Sequence, residues 1–158
     1  MLKETEILKL SSSNLSPDKI IVKNSGLVFL QRVEDPDGDL IIAEKGKDLP
    51  PEFFTRIYRR DVVNPASISG YHAHKTTEQY IFSAAGSFVL HLDDGERKQD
   101  VLMDAHHIGV KLGRRLWHTM SNFEMNSVLL VYANSFYSEE DYIRGDYGQF
   151  LEYIKSNP

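Results

Sequence analysis

Two histidines separated by a single residue, His72 and His74, lie in the stretch GYHAHKTTEQ at positions 70–79. Glu78 follows the second histidine after three intervening residues, and His118 comes later in the stretch WHTMSN. Neutral imidazoles with one carboxylate suit Fe, Mn, Ni or Zn, whereas imidazoles alone can act as general bases near neutral pH. Spacing alone favours a metal site over an acid–base pair. The third alternative is a pair of hydrogen-bonded histidines at a strand end that do no chemistry.

The parity of these residues determines which side chains can act together on a β-strand. Successive side chains of a strand point to opposite faces, so His72 and His74 share one face and Ala73 takes the other. Arg56 and Tyr58 also share a parity and could line the same cavity. Arginine can hold an oxyanion or a phosphate, although a cross-strand pair or a salt bridge explains Arg56 nearly as well.

The elements that must position these residues are short strands. Turn-forming stretches, such as Asp35-Pro36-Asp37-Gly38 and Asp93-Asp94-Gly95, separate segments rich in Val, Ile, Leu, Phe and Tyr. The predicted strands are 19–23, 27–33, 40–44, 54–60, 79–84, 87–92, 98–103, 107–111 and 127–133. This pattern predicts an all-β sandwich or barrel. Near the end of the chain, Ser138 and three following acids predict the start of one or two short helices.

Composition excludes several classes of site and partner. The chain contains no cysteine, which excludes disulfides, thiol nucleophiles and Cys-type zinc sites. The formal net charge is −5 and the pI is about 5.6, so there is no overall positive field to attract nucleic acid or an anionic membrane. We therefore expect neither a nucleic-acid partner nor a membrane partner.

The N-terminal region differs in character from the rest of the chain. Residues 1–24 are predicted to be an extension or arm, and residues 25–158 a single domain, because the start is polar and rich in serine. Residues 1–19 are too polar for a signal peptide, and no apolar run approaches the ~20 residues of a membrane span. We expect a cytoplasmic protein.

The order G-Y-H-A-H-x₃-E-x₇-G followed by a distant H-x₃-N resembles the two-part signature of the cupin superfamily. The resemblance implies a jelly roll, or double-stranded β-helix, with short C-terminal helices. In metal-binding cupins the ligand positions match those of His72, His74, Glu78 and His118. The second part is imperfect, because Arg114, Arg115 and Leu116 stand where Pro-x-Gly is usual.

A closer resemblance is to the sugar 3,4-ketoisomerase family of WxcM-like cupins, which act on dTDP-4-keto-6-deoxyglucose in deoxysugar biosynthesis. It runs from about Val28 to Ile154. The stretches that carry it are GYHAHKTTEQ, LDDG at 92–95, WH at 117–118, YSEEDYIR at 137–144 and Arg56-Ile57-Tyr58. The resemblance implies an isomerase that needs no metal or other cofactor, a nucleotide-linked keto-sugar substrate and a homodimer. It favours the acid–base pair over the metal site.

The resemblance also implies roles for individual residues. His72, His74 and Tyr58 take the catalytic positions, with His74 the favoured base. The substrate-binding positions are Arg56, Trp117, His118 and Glu78. For Trp117 a place in the barrel wall, and for His118 a structural hydrogen bond, are equally good explanations.

Two departures from the family pattern concern nucleotide binding. The family usually has arginines where Ser69 and Asp37 stand. Each charge-assisted hydrogen bond contributes ~1.5–3 kcal/mol, so affinity for the usual substrate could fall by orders of magnitude. Two alternatives therefore remain open beside the ketoisomerase. They are a metal-dependent cupin enzyme and a sugar-nucleotide-binding protein without turnover.

Overall fold

A computed structural model describes residues 6–158, which form two facing sheets and a small separate hairpin. The strands are β1 Leu8–Lys9, β2 Ser25–Phe29, β3 Gln31–Asp35, β4 Gly38–Ile42, β5 Arg56–Asp61, β6 Ser69–His74, β7 Gln79–Ala85, β8 Phe88–Asp93, β9 Lys98–Met103, β10 Ile108–Leu112, β11 Trp117–Ser121, β12 Val128–Ala133 and β13 Tyr142–Ile143. Short 3₁₀ helices cover Pro17–Lys19, Pro51–Phe54 and Glu139–Asp141, and the helix α1 covers Tyr147–Ser156.

The chain passes repeatedly from one sheet to the other. One sheet has the order β1-β9-β8-β11-β6-β13, and the other has the order β2-β10-β7-β12-β5. Apart from the parallel pair β1–β9, the neighbouring strands are antiparallel. The predicted all-β jelly roll with a short C-terminal helix is confirmed.

The core lies between the two sheets and follows the predicted alternation. On β8 the side chains of Phe88, Leu90 and Leu92 are fully buried, while the side chain of His91 points to the outer face. They pack in one cluster with residues of the opposite sheet, among them Val110 and Val131. A residue of these strands can therefore reach the space between the sheets only when its side chain lies on the inner face.

Three predicted elements were wrong in detail. Residues 19–23 do not form a strand, because side chains satisfy their backbone: Ile21 N donates to Gln99 Oε1 at 3.0 Å and Lys23 N donates to Asp94 Oδ2 at 2.7 Å. The segment 27–33 is two strands, β2 and β3, which separate at the buried Leu30. The acids after Ser138 form a 3₁₀ turn, and α1 starts later, where Asp146 Oδ1 accepts a hydrogen bond from Gln149 N at 2.8 Å.

Helix α1 packs on the outer face of the six-stranded sheet. Phe150 is fully buried there in a cluster with Ala73, Trp117 and Ile143. This cluster fixes the strand β13, which pairs with β6 at Tyr142↔His74 and Ile143↔Ala73. The helix therefore holds the segment around residue 142 beside the histidine strand.

The first part of the chain contributes to the sheet. Strand β1 pairs with β9, and Leu10 is buried in the main core. The predicted boundary between an arm at 1–24 and a domain from residue 25 stays a prediction, and residues 1–5 lie outside the described residues. Across residues 6–158 we find no helix with the length and apolar character needed to cross a bilayer.

Replacement of Leu90 by alanine tests the core. Leu90 is fully buried between the sheets, so Leu90→Ala should lower the free energy of unfolding by about 2–5 kcal/mol. Val63→Ala is the matched control, since Val63 is 84% exposed and its truncation should change stability by less than about 0.5 kcal/mol. Urea unfolding of both variants measures this, and equal losses would contradict the core assignment.

Candidate active site

Three histidines face one another on the inner side of the six-stranded sheet. Strand β6 supplies His72 and His74, and β11 supplies His118, which lies directly opposite His72 in the strand register. The His72 ring centroid is 5.0 Å from that of His74 and 4.7 Å from that of His118. A ring nitrogen from each residue lies within 4.8 Å of the other two. The His72–His74–His118 cluster is the one His/Cys/Asp/Glu grouping within residues 6–158 with this geometry.

A β-bulge aims His72 into this cluster. The pairing of β6 with β11 shifts register beside His118, and the backbone at Gly70 and Tyr71 has positive φ angles of 95° and 56°. A Cβ atom at Gly70 would lie 2.6 Å from the His118 carbonyl oxygen, so only glycine fits. Bulges beside active sites redirect side chains in this way. The bulge also places the Gly70 carbonyl where it accepts a hydrogen bond from His72 Nδ1 at 3.0 Å.

Hydrogen-bond acceptors assign the same tautomer to all three rings. His118 Nδ1 lies 3.1 Å from the Leu116 carbonyl, and His74 Nδ1 lies 2.8 Å from Asp141 Oδ2. A carbonyl or a carboxylate can only accept, so each Nδ1 carries the proton and each Nε2 keeps a lone pair. His74 Nε2 is buried and has no hydrogen-bond partner among the described residues. The cluster therefore offers unprotonated nitrogens that can take up protons.

Among residues 6–158, Asp141 is the only carboxylate that forms a hydrogen bond with these rings. It also accepts hydrogen bonds from Thr76 N at 2.7 Å, Thr76 Oγ1 at 2.7 Å and Thr77 N at 3.1 Å. Burial opposes ionisation of Asp141, but the hydrogen bonds from Thr77, Thr76 and His74 outweigh it and hold its pKa well below the usual range. A charged carboxylate on Nδ1 stabilises an imidazolium, so His74 is the member of the cluster best able to accept a proton.

Burial keeps the three imidazoles neutral. Desolvation, with a contribution from His74, lowers the pKa of His72 to about 4. Desolvation also lowers the pKa of His74, although Asp141 opposes the shift, and it lowers the pKa of His118 well below its usual value. Neutral rings are required for bases that must accept protons near pH 7.

Two tyrosines and one arginine lie near the histidine cluster. The Tyr58 hydroxyl accepts a hydrogen bond from Gln79 Nε2 at 3.0 Å, and desolvation, with a contribution from Tyr142, raises the Tyr58 pKa. Arg56 lies with its guanidinium carbon 5.5 Å from the Tyr58 ring centre, so both residues share a face as parity predicted. Its buried Nε has no hydrogen-bond partner in the described part of the chain. The ring of Tyr142 lies 4.6 Å from the His74 ring.

Two predicted site residues lie away from the cluster. Trp117 projects from the outer face of β11 and packs against Phe150 and Tyr147, with ring centroids 5.6 Å and 5.8 Å away. The Glu78 carboxylate lies 3.7 Å from Lys111 Nζ, and Glu78 is not a member of the His72–His74–His118 cluster. The predicted four-residue metal set is therefore not assembled, because Glu78 precedes β7 on the opposite sheet.

Sequence reasoning did not select Asp141, Tyr142 or Gln79 as site residues. The sequence places Asp141 among the three acids after Ser138 that predict the start of a helix. No spacing rule connects Asp141 to His74, since they are 67 positions apart. The only available signal was their shared membership of the stretches HAHK and DYIR, which carry the family resemblance.

The two departures from the family pattern occupy different environments. Ser69 is buried at the start of β6, next to the bulge. Asp37 lies in the exposed turn of the β3–β4 hairpin, where its backbone N donates to Asp35 Oδ1 at 2.9 Å. In the described part of the chain, neither residue forms a hydrogen bond with the three histidine rings.

Comparisons with known proteins identify the family. A family model described as FdtA, WxcM-like, C-terminal matches residues 23–155. The chain belongs to this family. It is 33% identical over 128 residues to a TDP-4-oxo-6-deoxy-alpha-D-glucose-3,4-oxoisomerase from Aneurinibacillus thermoaerophilus, a match that covers 81% of this chain and 91% of that protein.

Solved structures of 3,4-ketoisomerases share the fold of this WxcM-like chain. QdtA from Thermoanaerobacterium thermosaccharolyticum, crystallised in complex with TDP, is 28% identical with a TM-score of 0.81, covering 87% of this chain and 98% of that one. A 3,4-ketoisomerase from Helicobacter canadensis is 33% identical with a TM-score of 0.77, covering 84% and 98%. The predicted family and jelly-roll fold are thus confirmed.

Loss of the Asp141 carboxylate should lower the pKa of His74 further, because Asp141 stabilises the protonated ring. We expect this result for Asp141→Asn, measured by NMR titration of the histidine rings. Asp100→Asn is a matched control, since Asp100 Oδ1 lies 2.6 Å from His91 Nδ1 on the outer face. The control should leave the titration of His74 unchanged. An unchanged His74 titration in Asp141→Asn would contradict the coupling.

The depressed pKa of His72 predicts how stability depends on pH. An unfolded histidine binds its proton near pH 6.5, whereas folded His72 binds it only near pH 4. The unfolded chain thus takes up more protons between these values, and stability falls as the pH is lowered through this window, by up to about 3 kcal/mol for one residue. His72→Asn should show a weaker loss of unfolding free energy between pH 7 and pH 4.5. Parallel curves for the two proteins would disprove this.

Proposed function

We propose that this chain is a sugar-nucleotide 3,4-ketoisomerase that acts on a dTDP-4-keto-6-deoxy-hexose in deoxysugar biosynthesis. The observation that carries the proposal is the cluster of three neutral imidazoles, in which a ring nitrogen of each residue lies within 4.8 Å of the others and His74 is backed by the Asp141 carboxylate. The 3,4-oxoisomerase and the ketoisomerases to which the chain is similar support the substrate class.

The reaction needs only proton transfers. A base removes the proton from C3, and the electrons of that bond move toward the C4 carbonyl, whose oxygen gains a proton to give an enediol. The O3 hydroxyl then loses its proton as the C3 carbonyl forms, and C4 receives a proton. No atom is gained or lost overall, and no oxidant is required. General acid–base groups and stabilisation of the charge on oxygen are sufficient for such chemistry.

His74 is assigned to the proton on carbon. Its Nε2 is unprotonated and lacks a partner, and Asp141 stabilises the imidazolium that forms. His72 lies close enough to serve the second transfer, with ring centroids 5.0 Å apart. Within the cluster, His74 is the one residue whose Nδ1 contacts a carboxylate of the described residues, so we place the initial abstraction from C3 there.

Tyr58 and Arg56 are assigned to the oxygen atoms. A raised pKa keeps the Tyr58 hydroxyl protonated, so that it can donate to the developing oxyanion. Arg56 forms no salt bridge among the described residues, and its buried Nε is unpaired, so its charge is available to an anion. A fixed, preorganised positive charge stabilises a developing enediolate without the reorganisation that water requires.

The remaining predicted substrate contacts differ in support. His118 belongs to the cluster, and we propose that its Nε2 faces the sugar. Trp117 packs under α1, which favours its alternative role as part of the barrel wall. A contact from Glu78 to substrate stays a prediction, since its carboxylate is occupied by Lys111.

A metal-dependent reaction is the second candidate, because three neutral imidazoles suit a transition metal. This candidate is weaker than the ketoisomerase, because the predicted fourth ligand is not directed to the cluster. That ligand is Glu78, whose carboxylate lies 3.7 Å from Lys111 Nζ. A binding protein without turnover is the third. The cytoplasmic location expected from the sequence also stays a prediction.

We also propose that the chain acts as a homodimer, as its resemblance to this family implies. The exposed apolar side chains of the β3–β4 hairpin, which include Val33 and Leu40, support a self-contact.

Turnover of the purified, metal-analysed protein with dTDP-4-keto-6-deoxyglucose should be visible by NMR in D₂O. We expect a 3-keto product, or deuterium entering at C3, and activity that survives EDTA. His74→Asn should lower the rate about 10²–10⁴-fold because the base is lost. Asp141→Asn should also lower the rate. His91→Asn, which alters a histidine on the outer face, is the matched control and should stay active.

Three results would decide against the proposal. Activity that EDTA abolishes and added metal restores favours the metal-dependent enzyme. Binding of the nucleotide sugar with no exchange at C3 favours the binding protein. Full activity of His74→Asn removes the assigned base.

A further inference from the structure

The side chain of Tyr142 lies beside the histidine cluster but takes no part in the proton transfers assigned to His74, His72 and Tyr58. Strand β13 places Tyr142 directly opposite His74 of β6, and residues that are directly opposite on paired strands share a face of the sheet. The Tyr142 ring centre is 4.6 Å from that of His74 and 5.0 Å from that of His72. A sugar held against these two imidazoles therefore also lies beside Tyr142.

Arg144 fixes the position of this tyrosine ring. Its guanidinium carbon lies 4.0 Å from the centre of the Tyr142 ring, which is a close cation–π contact. Glu139 holds the guanidinium in turn, because its Oε2 lies 3.3 Å from Arg144 Nε. The ring thus contacts both the imidazoles and a fixed cation, so its hydroxyl needs no rearrangement before it can act.

The Tyr142 hydroxyl is unpaired and lies on the side of the site that faces Tyr58. Tyr142 is half-buried, and its hydroxyl forms no hydrogen bond with the residues that the structure describes. Arg56 and Tyr137 join the two sides, since the Arg56 guanidinium carbon is 5.5 Å from the Tyr58 ring and 5.8 Å from the Tyr137 ring. The Tyr137 ring is in turn 5.8 Å from the Tyr142 ring.

The electrostatic influence of Tyr142 on Tyr58 agrees with this arrangement. Tyr142 is one of the causes of the raised pKa of Tyr58, after desolvation. Two charges repel appreciably only when they are close. The two phenols therefore come from opposite sheets and act on one site.

The proposed reaction leaves one proton without a carrier. His74 takes the proton from C3, and Tyr58 donates a proton to O4. The O3 hydroxyl must also lose its proton before a C3 carbonyl can form, and Tyr58 must regain a proton in the same half of the reaction. Since O3 and O4 are on adjacent carbons, two neighbouring phenols match this requirement.

We propose that Tyr142 is a second catalytic tyrosine, which takes the O3 proton and passes its own proton to Tyr58. This inference rests on the proposed ketoisomerase function. In this step the O3–H bond breaks and its electron pair forms the C3 carbonyl, while the electron pair of the enediol double bond takes up a proton at C4 from the protonated histidine. Tyr142 and Tyr58 both end in the protonated form and the histidine ends neutral, so protons and charge balance.

Replacement of Tyr142 by phenylalanine keeps the ring and removes the hydroxyl. With dTDP-4-keto-6-deoxyglucose in D₂O, Tyr142→Phe should form the 3-keto product about 10²-fold more slowly, with KM little changed. Deuterium should still enter at C3, because His74 and Tyr58 complete the first half of the reaction. The ratio of deuterium exchange to product formation, measured by NMR, should therefore rise.

Tyr132→Phe is the matched control. Tyr132 is also half-buried and its hydroxyl forms no hydrogen bond among the described residues, but its ring packs 5.6 Å from that of Phe54 on the outer face of β12. This variant should keep both rates. A second measurement is the NMR titration of His74 in Tyr142→Phe, which should match that of the unmodified chain if the contact with Asp141 is intact.

The outcomes separate the role of Tyr142 from the proposed function. Full product formation by Tyr142→Phe would overturn the role of Tyr142 and leave the proposed function in place. An equal fall in exchange and product formation would also overturn it, as would a shifted His74 titration, because a structural disturbance affects both halves of the reaction. An unmodified chain that shows neither exchange nor product would instead remove the proposed function, and the role of Tyr142 with it.

Discussion

The hydrogen bond between His74 and Asp141 is the interaction on which the rest of the site depends. It joins a strand of the jelly roll to a 3₁₀ turn that follows the last long strand, across 67 positions of sequence. Thr76 and Thr77 hold the same carboxylate by three further hydrogen bonds. Asp141 therefore sets the ring orientation of His74, and it also ties the C-terminal segment to the end of β6.

The residues that pack under α1, on the outer face of the six-stranded sheet, hold this hydrogen bond in position. Ala73 and Ile143 alternate with His74 and Tyr142 on paired strands, so packing of the outer residues against Trp117 and Phe150 holds the inner residues in place. Successive side chains of a strand point to opposite faces, so packing that fixes the outer side chains also fixes the backbone that carries the inner ones. The single tryptophan thus belongs to the support of the site, and its neighbour His118 belongs to the site itself.

The backbone conformation also determines the geometry of the site. Positive φ angles at Gly70 and Tyr71 turn one carbonyl toward His72, and a positive φ angle at Arg115 precedes the carbonyl that serves His118. Non-glycine residues adopt this conformation at an energetic cost. The surrounding strands fix the geometry and offset this cost. The result is three rings with the same tautomer and low proton affinity. Of the three, His74 is the one with a charged partner among the described residues.

The sequence by itself determined most of the strands, the inward face of β8, the placement of His72 and His74 on one face, and the shared face of Arg56 and Tyr58. The predicted strands did not include β6 and β11, which carry the three histidines. All of these follow from a period of two, which is local. Its motifs also indicated the family. The sequence could not select Asp141, place Trp117 outside the site or direct Glu78 to Lys111. Those outcomes depend on which strands become neighbours, and contacts between distant segments are decided by the packing of the two sheets. The strand predicted at 19–23 was wrong for a similar reason. Side chains of Gln99 and Asp94, far along the chain, satisfy the backbone there in place of a neighbouring strand.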